Sequence, residues 1–309
     1  MKVGLLLPNI GRSATKDNVL AVARGAENAG IDSLWVIDRL LWPIKPQVPY
    51  PASPDGSLPE EYLHVLDPIG TLMFVASNTR KISLGTSIVD IPFYSPALLA
   101  RLITTLDLFS EGRSIVGLGL GWSKDEFDAS GVSFKDRGAR ADEFLQALKK
   151  IWTQDVVEFK GKYYNIPASK IGLKPVQKPH PLVLLGGFTP KAFARIAKHA
   201  DGWIPIAGFA PLSQMGQAID ALREEARKIG REPSKIRIFM LTYPDILDSP
   251  APETSRMPMT GTIDQIGSDI EQIKSMNVDT VMFGHVFSSV GSDADRTVEV
   301  TKQLAKFAR

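Results

Sequence analysis

The sequence predicts an α/β protein built as a (β/α)8 TIM barrel, a single domain over residues 1–309 with insertions after the second, fourth and seventh strands. Short β-rich apolar runs alternate eight times with longer segments of helical period, the pattern of repeated βα units around a parallel sheet. Eight units in 309 residues is the length such a barrel needs, and 44% hydrophobic residues supply its core.

In chain order, strands are expected at about 2–7, 33–37, 81–86, 114–119, 182–186, 202–206, 236–242 and 279–284. Helices are expected at about 15–29, 67–77, 96–109, 138–152, 189–199, 211–229, 262–275 and 292–307. The opening run Met1 to Pro8 is apolar but far too short for a signal peptide or a membrane span, so it reads as a buried first strand. Three stretches exceed the minimal barrel. Trp42 to Leu63 carries prolines at 43, 46, 49, 51, 54 and 59, a density that forbids regular helix and predicts an extended or turn-rich excursion over the barrel mouth. Phe159 to Pro181 predicts a short hairpin around Gly161-Lys-Tyr-Tyr-Asn165 and then a linker. Pro244 to Gly261, with prolines at 244, 250, 252 and 258, leaves the seventh strand as either a lid or a tolerated loop.

Composition excludes several classes. Lys+Arg 36 against Asp+Glu 34 leaves a net charge of +2 and no electrostatic footprint for nucleic acid or an anionic membrane. The absence of cysteine excludes a disulfide framework, a thiolate zinc site and a cysteine nucleophile. The histidines, 64, 180, 199 and 285, show no metal-ligand spacing, and no nucleophile elbow, Walker loop or His-Glu-x-x-His occurs, so no metal is expected. The expectation is a soluble cytoplasmic protein acting on a small molecule.

In a parallel barrel, ligands bind at the C-terminal ends of the strands. Asp38 and Arg39 end the second strand and place a carboxylate and a guanidinium there, unless the aspartate merely caps a turn. Gly117, Gly119 and Gly121, before Trp122, alternate along the fourth strand without opening a helix, unlike a dinucleotide fingerprint. They share one face, where either a flat ring approaches or small residues pack. Asp125 and Glu126 follow, and Arg137 and Arg140 open the next helix; such charges are usually solvated or locally paired. Gly186-Gly187-Phe188-Thr189-Pro190 joins the fifth strand to a helix with Thr189 as N-cap and Pro190 in its first turn, which makes either an anion site or a plain capped helix. Gly208 ends the next strand, and two adjacent backbone loops suit a phosphate better than one. His285 alone among the histidines sits at a strand end.

Ala26 to Asp38, Leu84-Gly-Thr-Ser-Ile88, Gly117-Leu-Gly-Leu-Gly-Trp122, Asp142 to Leu148 and Ala200-Asp-Gly-Trp203, in this order, resemble the luciferase-like monooxygenase superfamily and, more narrowly, its deazaflavin (coenzyme F420)-dependent oxidoreductase branch. The resemblance implies a cofactor ring across the mouth, against Asp38, Ser87, Ile88, Gly119, Gly121 and Asp125. It places the phosphate at Gly186, Gly187, Phe188, Thr189 and Gly208, and a non-proline cis peptide at Ser87–Ile88. It further implies hydride exchange between the deazaflavin and a small organic substrate, with Asp38 orienting the reacting region, Arg39 neutralising anionic charge and Trp122 walling the pocket. Two departures stand out: many deazaflavin members carry His where this chain has Arg39, and some sugar-phosphate-oxidising relatives carry a catalytic Glu where it has Trp122. The alternatives are an FMN-dependent monooxygenase using reduced flavin and oxygen, and a flavin-binding barrel without turnover. A homodimer is also implied, with the third helix, Leu98 to Leu106, as candidate surface unless that helix only packs on the barrel.

Overall fold

A computed structural model describes residues 1–53 and 55–309; Pro54, one of the prolines of the 42–63 excursion, lies outside the described residues. The barrel begins with β1 (Lys2–Leu6) and β2 (Ser33–Val36). Its third strand is β3 (Ser83–Thr86), continued by β4 (Val89–Asp90), and its fourth is β5 (Ser114–Gly119). After the hairpin β6 (Val156–Lys160) and β7 (Asn165–Lys170) come β8 (Leu182–Leu185) and β9 (Gly202–Trp203), the latter continued by β10 (Ile206–Ala207). The barrel closes with β11 (Arg237–Thr242) and, beyond the short pair β12 (Asp245–Ile246) and β13 (Thr260–Gly261), β14 (Thr280–Phe283). All barrel neighbours are parallel, and β14 pairs back onto β1. The helices are α1 (Lys16–Asn28), α2 (Pro68–Ala76), α3 (Pro96–Phe109), the short α4 (Lys124–Ala129), α5 (Arg137–Thr153), α6 (Pro190–His199), α7 (Leu212–Lys228), α8 (Ile263–Ser275) and α9 (Ala294–Ala308).

The expected βα alternation is therefore present throughout, with two differences in the strands. The third strand breaks at Ser87–Ile88, whose peptide bond is cis. The sixth breaks at Pro205, which has no N–H to give to the ladder. Parallel strands covered on both faces read as apolar runs because each face has its own core. Val3, Leu5 and Leu7 pack toward the helices, whereas Leu6, Trp35, Leu184, Phe239 and Met282 fill the barrel interior. Trp35 plugs that interior: a Cβ at Gly85 would collide with its ring, and Phe239 meets it edge-on at 5.5 Å. Above the plug the C-terminal mouth is open, and a smaller cavity of about 250 Å³ lies below it among the strand N-termini.

Thr15, Asp67, Ser95, Thr189, Thr262 and Asp293 each cap a helix through a side-chain bond, which sets where the loops at the mouth end. Helix α3 turns Leu99, Ala100, Ile103 and Leu106 inward onto the barrel and leaves Leu98 and Phe109 exposed. The 42–63 excursion crosses the mouth, pinned by Trp42 Nε1 donating to Pro59 O at 3.2 Å, and ends in a 3-10 turn at Glu60–Leu63. The hairpin is tied to α5 by Glu143, which accepts the Lys162 and Tyr163 N–H groups at 2.9 and 2.8 Å. The 244–261 segment is anchored, not free: Arg256 forms a buried pair with Asp269 of α8 at 2.7 Å. Among the described residues no helix is long and apolar enough to cross a membrane.

Candidate active site

Six strand ends and one excursion build a cavity of about 450 Å³ at the mouth. The second strand brings Ile37, Asp38 and Arg39; the third brings Ser87, Ile88 and Asp90; the fourth brings Gly119, Gly121 and Trp122. The Gly186–Thr189 turn forms the far wall. Tyr50 and Tyr62 of the 42–63 excursion roof it, with the Tyr50 ring tilted against Trp122 at 5.3 Å.

Three side-chain oxygens, Asp38 Oδ2, Ser87 Oγ and Asp90 Oδ1, are shut off from solvent and have no hydrogen-bond partner among the described residues. Buried polar groups in native proteins are nearly all paired, so three orphans around one cavity are bonding capacity held for a ligand. Burial, and then the charge on Asp90, pushes the Asp38 carboxyl up from 3.8 to about 7, opposed in part by the Asp90 backbone N–H. Burial, and then the charge on Glu126, pushes Asp90 up to about 7, with Arg39 pulling the other way. The two carboxyls thus exchange protons near neutrality, where a general acid or base is most useful.

The raised values set a pH dependence of stability. The folded barrel holds these protons more tightly than the unfolded chain, so the contribution is complete below about pH 4 and is lost as pH rises through about 7. Asp90→Asn should match the wild type near pH 4. At pH 8 it should be more stable by on the order of 2–4 kcal/mol, read by denaturant titration of both proteins at both pH values.

Arg39 is used differently from the sequence expectation. Its guanidinium forks onto Glu126, with Nε donating to Oε1 at 2.8 Å and Nη2 donating to Oε2. The residues are 8% and 1% exposed. The same Oε1 accepts the Leu40 N–H at 2.8 Å, and the guanidinium lies 4.7 Å over the Trp122 ring. The expectation that Arg39 neutralises an anionic ligand is corrected: its charge is already matched by Glu126, a residue grouped from sequence with the usually solvated or locally paired charges. Asp125 is corrected by the same geometry. Consecutive helical residues point about 100° apart, so α4 aims Glu126 into the barrel and Asp125 outward. There Asp125 accepts the Gln47 N–H at 3.0 Å, tethering the roof without lining the cavity.

The glycines of the fourth strand make room for the chain itself. A Cβ on Gly117 would collide with the Thr86 carbonyl and one on Gly119 with Ile88, while Gly121, at φ +75°, faces the Phe127 ring. Packing is thus the reason for Gly117, whereas Gly119 and Gly121 also wall the cavity. Gly187 has φ +119°, and the turn leads into α6, where Thr189 Oγ1 accepts the Ala192 N–H at 3.1 Å. Arg137 and Arg195 line the same region; Arg195 is matched by Asp142 at 2.6 Å, so the helix N-terminus and the Arg137 guanidinium make this end positive. Gly208 lies on an adjoining cavity instead, at the end of the second segment of the broken sixth strand. His285 does follow a strand end, but it is buried, with Nε2 3.0 Å from Thr301 Oγ1 in α9, and burial lowers it to about 4.

Sequence reasoning missed Asp90 and the tyrosines at 50, 62 and 243. Asp90 stood within the quoted third-strand stretch, three residues past Ser87, and the break after Thr86 was the available signal. Tyr243 directly follows the expected seventh strand, a strand-end signal like that of Asp38, whereas nothing local marks Tyr50 and Tyr62, which reach the mouth only because the excursion folds back over it.

The luciferase-like monooxygenase family model matches residues 1–252. An uncharacterized protein of Mycobacterium tuberculosis is 37% identical over 206 residues, 66% of this chain and 72% of that protein. An F420-dependent glucose-6-phosphate dehydrogenase of Amycolatopsis mediterranei is 31% identical over 205 residues, 65% of this chain and 56% of its own length. Among solved structures, the monooxygenase RslO1 from Streptomyces bottropensis superposes with a TM-score of 0.80 at 20% identity, covering 99% of this chain and 98% of that one. The coenzyme F420-dependent tetrahydromethanopterin reductase of Methanopyrus kandleri superposes with a TM-score of 0.75 at 19% identity, covering 98% and 97%. At such identities the superpositions speak for the fold. The match over residues 1–252, on a closed parallel barrel of this topology, shows that the chain belongs to the luciferase-like monooxygenase family, an oxidoreductase family.

Proposed function

We propose that this protein is an oxidoreductase that uses the deazaflavin coenzyme F420 to exchange hydride with a small organic substrate. The observation that carries the reading is the trio of orphaned oxygens, Asp38 Oδ2, Ser87 Oγ and Asp90 Oδ1, in a cavity whose other end is the positive Gly186–Thr189 turn. That pairing suits a polar heterocycle joined to a phosphate. Relatives named for F420 dependence support the choice of coenzyme. When bound, the deazaflavin supplies the carbon that gives or takes hydride.

The chain's own residues do the rest. Asp38 holds a proton at Oδ2 and can give or take it near pH 7. Asp90 keeps that proton in place by its adjacent charge. Glu126 fixes Arg39, Arg39 carries Trp122, and Tyr50 and Tyr62 exclude water from above. The free N–H groups of Gly187 to Thr189 bind the phosphate.

Side-by-side titration of the purified protein with coenzyme F420 and FMN tests the reading. F420 should bind at least tenfold more tightly, about 1.4 kcal/mol. Equal or tighter FMN binding, together with substrate-dependent oxygen consumption when reduced FMN is supplied, would establish the monooxygenase instead, and coenzyme binding without turnover of any substrate the non-catalytic barrel. Gly187→Val should weaken F420 binding at least tenfold, because φ +119° disfavours a side chain and a Cβ there would sit 2.8 Å from the Ala192 Cβ. Unchanged affinity with a folded variant would place the phosphate elsewhere.

A further inference from the structure

A second cavity of about 790 Å³ opens beside the first, between the end of β10 and the first turns of α7. The two share Pro51, Ala52, Phe188, Ile206 and Phe209, so the mouth is one continuous space with two compartments. Their chemistry differs. The first carries Asp38, Arg39, Asp90, Arg137 and Arg195. Among the described residues, the second is lined by no Asp, Glu, Lys, Arg or His, and its only polar side chains are Ser53 and Gln214. Ala207, Ala210, Met215, Ala218 and Met257 supply the rest of its character.

Phe188, Phe209 and Met257 stand 49%, 55% and 43% exposed around this compartment. Large apolar side chains left in water around a concavity mark a place where an apolar ligand covers them. The rim is also held in position: the Arg256–Asp269 pair anchors the 244–261 segment and so sets Met257 at the edge. An anionic body would lie here with no cation to meet it, and burying an unpaired charge is prohibitively unfavourable.

We propose that this second compartment is the substrate site and that it takes the body of an uncharged, predominantly apolar molecule, aliphatic or fused-ring, whose polar group reaches back toward Asp38. This rests on the coenzyme occupying the first compartment as read above. Sugar phosphates and other anionic substrates are excluded by the same lining.

The full-length chain, without coenzyme, is titrated with N-phenyl-1-naphthylamine, an uncharged apolar fluorophore, and the bound probe is displaced with 2-ketones from butanone to decan-2-one and, separately, with glucose 6-phosphate. Saturable probe binding is expected, displaced by ketones whose affinity rises roughly fourfold per methylene, the ~0.8 kcal/mol of a buried CH2. Glucose 6-phosphate should not displace it. Met257→Asp and Ala218→Glu, on an anchored surface segment and a half-buried helix face, should each weaken probe binding at least tenfold while F420 binds as before. Absence of saturable binding, no dependence on chain length, displacement by the sugar phosphate, or unchanged probe affinity in both variants would overturn the proposal. Failure of F420 to bind a wild-type protein that still behaves as stated toward probe and ketones would defeat the coenzyme reading and leave the apolar site standing.

Discussion

Replacing Asp38 with Asn is expected to lower kcat/KM by roughly 10²–10⁴-fold, the usual contribution of a positioned proton donor or acceptor, with the barrel still folded. The wild-type rate should change with pH around 7, where the Asp38 and Asp90 carboxyls exchange their protons. Asp38→Asn should flatten that limb, because the amide has the same shape but no titratable proton. The substrate for this assay is the ketone best bound in the displacement series, with reduced coenzyme F420. Folding gives the control: Asp38 Oδ2 has no protein partner to lose, so the variant's thermal stability at pH 8 should equal or exceed that of the wild type. A rate within threefold of wild type, or an unchanged pH limb, would remove Asp38 from proton transfer and leave Asp90 to be tested alone.

Arg39→Ala is expected to lower the unfolding free energy by about 3–5 kcal/mol, since it leaves Glu126 charged, buried and without its cation. The double variant Arg39→Met/Glu126→Leu should recover most of that loss, because replacing both partners by apolar groups removes the uncompensated charge. The single variant has a second, electrostatic effect. Arg39 holds the Asp90 carboxyl down, so its removal should move the pH limb of activity upward. Denaturant titration reads the first effect and the pH profile reads the second. A stability change under about 1 kcal/mol would mean that water enters the pair, and would remove its role in holding Trp122.

The departure from the deazaflavin pattern at Arg39 acquires a physical account from this pairing. A histidine at that position would be a titratable group at the mouth; Arg39 is a permanent cation locked onto Glu126. The titratable pair here is instead Asp38 with Asp90, one on each of two neighbouring barrel strands.

Periodicity and backbone chemistry were readable in the chain alone. Parallel strands covered on both faces must be apolar throughout, and helices on the barrel must carry one apolar stripe, so the eight βα units and their order follow from local pattern. Turn chemistry is local as well: Thr189 and Pro190 announced the start of α6, and the proline density of 42–63 announced irregular chain over the mouth. Asp38 was legible because a strand-end carboxylate needs only the strand to be identified. What Arg39, Glu126, Asp125 and His285 do was not legible, because each depends on where a side chain points after the loops are folded. Residues 39 and 126 are 87 apart in sequence, and only the direction of α4 decides that Glu126 turns inward to Arg39 while Asp125 turns outward to Gln47. The proton affinities of Asp38 and Asp90 belong to the same class. Burial comes first for both, followed by the charge on Asp90 for Asp38 and the charge on Glu126 for Asp90, and these arise only when two strand ends, α4 and a roof of distant tyrosines close around one cavity.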